Sequence, residues 1–353
     1  MDMTPYKLLA ERLDSLPNGF PPTKDGAELR LLAKIFSPAE AALASQLLPE
    51  PETLGEIVTR IGGDAAQLRQ QLNAMVRRGL IMAQRAQHGL GYGLMPFVVG
   101  IYEMQVHTMD GELARLFEDY FQEAFSEALL IRPQFHRVIP VGESIRNTME
   151  VRPFETAADL VNAAQAWAVQ DCICRKQKAL IGDPCAHPVN ICMVLSSRAG
   201  AFDSSPMLHA LTHDEALATL RRAADAGLVH SVSNNQKDVY YICNCCTCSC
   251  AILRGMAKLG RANVVVSSAF VNQVDETICS GCAECVQSCQ FAALTVDDIA
   301  QVSTVRCVGC GVCVLVCPTG ALGLVRRQEE EVLPIPATLA DWSVQRAASR
   351  HTG

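Results

Sequence analysis

Hydrophobic positions first recur with a helical period. "GAELRLLAKIF" (26–36) and "SPAEAALASQLL" (37–48) read as helices, the second with Ser37 as N-cap and Pro38 at its first position. "TLGEIVTRIG" and "DAAQLRQQLNAMVRRG" follow as a pair. In the second, Leu68, Leu72, Met75 and Val76 share a face and Gly79 is the stop. The pattern then alternates in "LIMAQRAQHGLGYGLMP", two strands around a Gly-rich tip. Helix-turn-helix followed by a hairpin predicts a winged-helix-like domain over 27–100. Residues 1–26, punctuated by Pro and Gly, read as an arm or linker.

Further on, Leu113, Phe117, Phe121, Phe125 and Leu129 form one apolar stripe, predicting a helix over about 111–130. Strands are expected near "HRVIPV" and "NTMEVR", and a helix over "TAADLVNAAQAWA". "THDEALATLRRAADAGLV" is a helix with a Thr212/Glu215 capping box and Gly227 at its end, and a hairpin around Asn234-Asn235 comes next. The tail from 328 reads as a solvated charge run with at most one short helix. The expected whole is an α+β multidomain chain: a winged-helix-like domain (27–100), a cysteine-rich α/β middle domain (101–268), a compact cysteine block (269–327) and a tail (328–353).

Composition changes this picture at one residue type. The chain has 353 residues, 17 of them cysteine, and a hydrophobic fraction of 49%. That fraction supplies full cores, so the cysteines are not replacing one. No basic–apolar leader opens the chain and no apolar run approaches the roughly 18 residues of a spanning helix. The expected location is therefore cytoplasmic, where clustered cysteines hold metal rather than disulfides. A formal net charge of −7 argues against nucleic acid as the main partner. Within 27–100 the seven Lys/Arg against six Asp/Glu leave only +1. Even so, Gln67, Gln70, Gln71 and Asn73 on the second helix of the pair are types that read base edges. The wing carries Arg85 and His88.

The strongest motif is a repeat. Cys279-x2-Cys282-x2-Cys285-x3-Cys289 recurs 28 residues later as Cys307-x2-Cys310-x2-Cys313-x3-Cys317-Pro318. In this bacterial arrangement the fourth cysteine of each run serves the other cluster. Cluster A then takes Cys279, Cys282, Cys285 and Cys317, and cluster B takes Cys307, Cys310, Cys313 and Cys289, each a [4Fe-4S] centre. Gly281, Ala283, Gly309 and Gly311 keep the loops tight. Ile278, Val286, Leu294, Val308, Val312, Leu315, Val316 and Leu322 are the expected water-excluding neighbours. The block resembles the two-cluster ferredoxin domain, with one departure: Gln290 follows Cys289 where that family usually has proline.

The other nine cysteines are Cys172, Cys174, Cys185, Cys192, Cys243, Cys245, Cys246, Cys248 and Cys250. Three readings compete for them: one or two further iron–sulfur clusters, structural zinc, or free redox thiols. If "VQDCIC" and "VYYICNC" are strands, Cys172/Cys174 and Cys243/Cys245 each share a face. One grouping joins Cys172, Cys174, Cys185 and Cys192, another draws four from 243–250, and mixed sets remain open. The helix "AILRGMAKLG" (251–260) and the cations Arg175, Lys176, Lys178 and Arg254 would offset thiolate charge. His187, His209 and His213 are candidate ligands or proton carriers whose favoured reading is structural, with His187, lying between two cysteines, the one to test.

Together with the "PFVVGIYE" segment (96–103), the "CICR", "CNCC" and dicluster stretches make residues 40–327 similar to a 4Fe-4S dicluster ferredoxin-type protein family of anaerobic and metabolically versatile bacteria. The resemblance implies an electron carrier, or an electron-input subunit of an anaerobic oxidoreductase, working with a redox partner protein. Two other functions stay open: a redox-sensing regulator using the winged helix, and an enzyme with a substrate-binding cluster in the middle domain. No nucleophile–base constellation or phosphate loop is present.

Overall fold

The computed structural model describes residues 2–86, 89–146, 151–152, 154–257 and 264–351. It divides into two compact units, Met1–Ile131 with Lys176–Asp183 and Arg346–Gly353, and Arg132–Arg175 with Pro184–Gln345.

The first unit is mainly helical. Where an arm was expected, Thr4–Asp14 forms a helix that buries Tyr6, Leu9, Ala10 and Leu13. Pro and Gly punctuation at 17–22 follows this helix rather than replacing it. Helices Ala27–Ile35, Pro38–Ala44, Leu54–Ile61 and Ala65–Arg77 come next. Ser37 with Glu40, and Thr53 with Glu56, close reciprocal capping boxes, while Asp64 accepts from the Gln67 N–H. Gly79 takes φ +67° just beyond the last helix. Strands β1 (Glu52–Thr53), β2 (Met82–Ala86) and β3 (Gly89–Gly93) pair antiparallel in the order β1-β3-β2. Residues 87–88, including His88 of the expected wing, lie outside the described residues. The helix beginning at Gly111 runs through a wider turn at Phe121–Phe125 to Ala128, and Leu113, Phe117, Phe121, Phe125 and Leu129 are all buried. Tyr102 stacks on Phe117 with ring centroids 3.8 Å apart.

The second unit is built on a seven-stranded sheet. Its strands are β4 (His136–Val138), β5 (Ala166–Asp171), β6 (Asn190–Ser196), β7 (His209–Leu211), β8 (Val229–Ser233), β9 (Tyr241–Cys245) and β10 (Val265–Val266). They lie in the order β10-β4-β8-β9-β6-β5-β7, antiparallel except for β10 beside β4. Helices Ala157–Ala163 and His213–Asp225 pack Ala157, Val161, Ala216 and Leu220 against Met193, Leu195 and Ile242. The Thr212/Glu215 box opens the second of these helices, and Gly227 at φ +72° follows it. Beyond the sheet, β11 (Phe270–Val274) pairs with β14 (Leu322–Arg326), and β12 (Leu294–Val296) with β13 (Ala300–Val302).

Three local readings change. The helix expected to 168 ends at Ala163, and Ala166–Ala168 begin β5, with the Trp167 Nε1–H donating to Val161 O. "VQDCIC" is a strand only to Asp171; Ile173–Leu180 is helical, so Cys172 and Cys174 do not alternate on one strand. The hairpin around Asn234-Asn235 forms as expected: β8 pairs antiparallel with β9 across residues 234–240, where Arg137 Nε donates to Asn235 O and Asn234 Nδ2 to Gln134 O. In the tail, Leu339–His351 is a 13-residue helix whose Trp342 is buried and donates to Gln134 O at 2.8 Å. Two readings lie partly outside the described residues: the strand "NTMEVR" at 147–150, and the end of "AILRGMAKLG" at 258–260.

Candidate metal centres

The two repeat loops share one backbone design. Glu284–Ser288 and Val312–Leu315 are short helices, each preceded by a left-handed residue, Ala283 at φ +62° and Gly311 at φ +80°. Two residues earlier, Gly281 and Gly309 are also left-handed. A Cβ on Gly309 would lie 2.1 Å from Phe270 O, and one on Gly281 would lie 2.5 Å from Asp298 O. Only glycine permits either approach.

Cys279, Cys282, Cys285 and Cys317 line one cavity. Cys289, Cys307 and Cys310 are the thiols whose charges act on Cys313. Each set thus takes three sulfurs from one loop and a fourth from the other. Burial pushes the Cys310 thiol up to about 12 and raises Cys313 too. These thiols need a cation to exist as thiolates. Donors already face them: Asn272 Nδ2 lies 2.8 Å from Cys313 Sγ, the Ala293 N–H 3.3 Å from Cys289 Sγ, and the Ala300 N–H 3.5 Å from Cys279 Sγ. Sulfur-directed donors and loops too tight for a Cβ fit a buried anionic cluster. Val308, Val312, Leu294 and Leu322 are buried around them, whereas Ile278 and Val316 are 47% and 41% exposed and shield little.

Asn272 was missed in the sequence; its signal was a polar residue at an inward position of a strand. Gln290 has a role beyond its departure from proline. Its Oε1 accepts from the Thr247 N–H at 2.7 Å and its Nε2 donates to Gly227 O at 2.5 Å. A proline could make neither bond.

The remaining nine cysteines fall into two groups. Register pairs Met193 with Ile242, so Cys192 lies across from Cys243. Met193 and Ile242 face the helices, which sends Cys192, Cys243 and Cys245 to the other face. There the thiols make a closed run of side-chain contacts: Cys172 with Cys174 and Cys192, Cys174 with Cys250, Cys250 with Cys245, Cys245 with Cys243, and Cys243 with Cys192. Hydrogen bonds from Cys243 and Cys250 bring Cys245 down to about 7, against the effect of burial.

The second group is Cys185, His187, Cys246 and Cys248, whose ligand atoms all lie within 4.8 Å of one another. Cys246 packs with Ile191, Ala223 and Leu228, on the helix side. Adjacent Cys245 and Cys246 therefore serve different groups. Between them lies Arg175, 3% exposed, donating to Pro188 O at 3.0 Å and Asn244 O at 2.7 Å. Burial opposes its charge, but Cys172, Cys246, Cys245 and Cys192 raise its pKa on balance. Lys176 instead donates to Val106 O and Lys178 pairs with Asp183 at 2.8 Å. Arg254 is buried. His209 is exposed on β7, and His213 bonds Asn162 Oδ1 at 2.8 Å. Of the base-reading candidates, Asn73 accepts from the Tyr92 hydroxyl at 2.9 Å.

Residues 278–322 match a family described as the 4Fe-4S dicluster domain. No curated protein matches the chain, and no solved structure matches it. Among the described residues, no helix is long and apolar enough to cross a membrane.

Proposed function

We propose that this chain is an iron–sulfur electron-transfer protein, a carrier or the electron-input subunit of an oxidoreductase, with two [4Fe-4S] centres in the dicluster block and a third iron–sulfur centre at the six-thiol ring. The observation that carries the reading is the crossed arrangement of eight cysteines on two matched loops, with N–H groups aimed at their sulfurs. Cys279, Cys282, Cys285 and Cys317 hold one centre, and Cys289, Cys307, Cys310 and Cys313 the other. When bound, such clusters exchange one electron at a time. The chain's own contribution is to exclude water with Val308, Val312, Leu294 and Leu322 and to fix hydrogen-bond donors toward the sulfurs, which sets the potential.

Cys172, Cys174, Cys192, Cys243, Cys245 and Cys250 support the third centre because a ring of six thiols, each beside only two others, offers more ligands than a single four-coordinate ion accepts. Their buried surroundings and the Arg175 guanidinium suit an anionic inorganic core. A redox partner protein receives or supplies the electron.

The test is iron and acid-labile sulfide content with EPR on oxygen-free protein. About twelve irons per chain are expected, four for each of three cubanes. About eight would remove the third centre and leave the relay through the dicluster block. Folded protein with little iron would end the whole reading.

A further inference from the structure

We propose that Cys185, His187, Cys246 and Cys248 form a separate mononuclear zinc site with no open position. The argument begins with spacing between ligand atoms. A tetrahedral zinc with bonds of about 2.3 Å to sulfur and about 2.0 Å to nitrogen places its ligand atoms roughly 3.5–3.8 Å apart. A cubane carries its four protein ligands on different irons and separates them by about 6 Å. Here Cys185 Sγ and Cys246 Sγ are 4.0 Å apart, Cys248 Sγ and His187 Nδ1 are 3.8 Å apart, and no pair exceeds 4.8 Å. That is the spread of ligands around one ion.

Local sequence explains how the four meet. Cys185 and His187 share a turn between the helix Ile173–Leu180 and β6. Cys246 and Cys248 share the turn that follows β9. Each turn supplies two ligands with one residue between them, so joining the turns completes a four-fold set. Three thiolates and one imidazole are soft and borderline ligands, a set that selects zinc over magnesium or calcium.

The surroundings fit the charge. Zinc with three thiolates and a neutral imidazole carries one net negative charge, and buried Arg175 stands by with one positive charge. The backbone between Cys246 and Cys248 is held by Gln290 through the Thr247 N–H. Ser249 Oγ donates to Cys248 Sγ at 3.8 Å. Four protein ligands leave no coordination site for water or substrate, so the ion cross-links two turns and does no chemistry.

This site is independent of the iron centres, and metal analysis separates the two readings. Full-length protein purified without oxygen should contain about one zinc per chain beside its iron. Cys248→Ser should lose that zinc and keep the wild-type iron content. Protein grown with Co²⁺ should show tetrahedral d–d absorption with thiolate charge-transfer bands. His187→Cys should keep the ion and shift those bands. Iron and sulfide lost from Cys248→Ser in place of zinc, or wild-type protein with neither zinc nor a tetrahedral cobalt spectrum, would overturn the proposal. If Cys248→Ser does not fold, the wild-type zinc count and cobalt spectrum decide alone.

Discussion

The dicluster block and the middle block both concentrate cysteine, but they organise it differently. In the first, sulfurs sit on two copies of one loop, and chain spacing alone dictates which three go together. In the second, sulfurs come from a strand end, a helix turn, two neighbouring strands and two turns, and the sheet decides the partition. The six-thiol ring forms because β5, β6 and β9 are neighbours. The Cys185/His187 turn meets Cys246 and Cys248 because β6 and β9 pair antiparallel, which sets the residues before β6 beside those after β9. A repeat encodes its site locally, whereas a sheet encodes its site through pairing.

The sharpest way to break this contrast is ligand deletion. Cys285→Ser and Cys313→Ser should each remove about four irons and leave the zinc unchanged. Cys192→Ser should remove iron without altering the dicluster EPR signal. If Cys192→Ser abolishes that signal, the blocks are not separate centres.

Next in size is a backbone test within the dicluster block. Gly309→Ala places a Cβ against Phe270 O at a left-handed φ and should cost about 3 kcal/mol or more. Gly320→Ala, also at positive φ but with nothing within 4 Å, should cost only about 1 kcal/mol. Denaturant midpoints measure both, and equal effects would refute the close approach.

Acid sensitivity should separate the blocks as well. His136 and His230 are buried in the seven-stranded sheet, and burial draws both down to about 4. The unfolded chain takes up these protons near pH 6.5. Their neutral forms thus contribute full stability above about pH 6.5, and the contribution falls as pH drops toward 4. Each should lose about 2 kcal/mol between pH 8 and pH 5. Residues 264–327 contain no histidine. Hydrogen exchange at pH 5 should therefore show protection lost first in β4 and β8, and later in β11 and β14.

The smallest expected effect concerns the junction. Gln290→Pro, which restores the residue usual for two-cluster ferredoxins, should cost roughly 1–2 kcal/mol through the lost bonds to Thr247 and Gly227. Its iron content should stay at wild type. A variant as stable as wild type would show that the two bonds contribute nothing net.

By itself the sequence determined the elements whose signals are local. Capping residues placed helices at Pro38 and His213, the apolar stripe placed the helix after Asp110, and the cysteine repeat placed the dicluster loops. Each of these depends on residues within a few positions of one another. Tertiary structure decided what depends on strand neighbours. It moved Cys174 from a strand to a helix turn, drew His187 from a structural role to the side of Cys248, and sent Cys245 and Cys246 to opposite faces. Side-chain direction follows from the local backbone, but the sulfur on the next strand follows from register, and register is set by the packed core of Met193, Leu195 and Ile242.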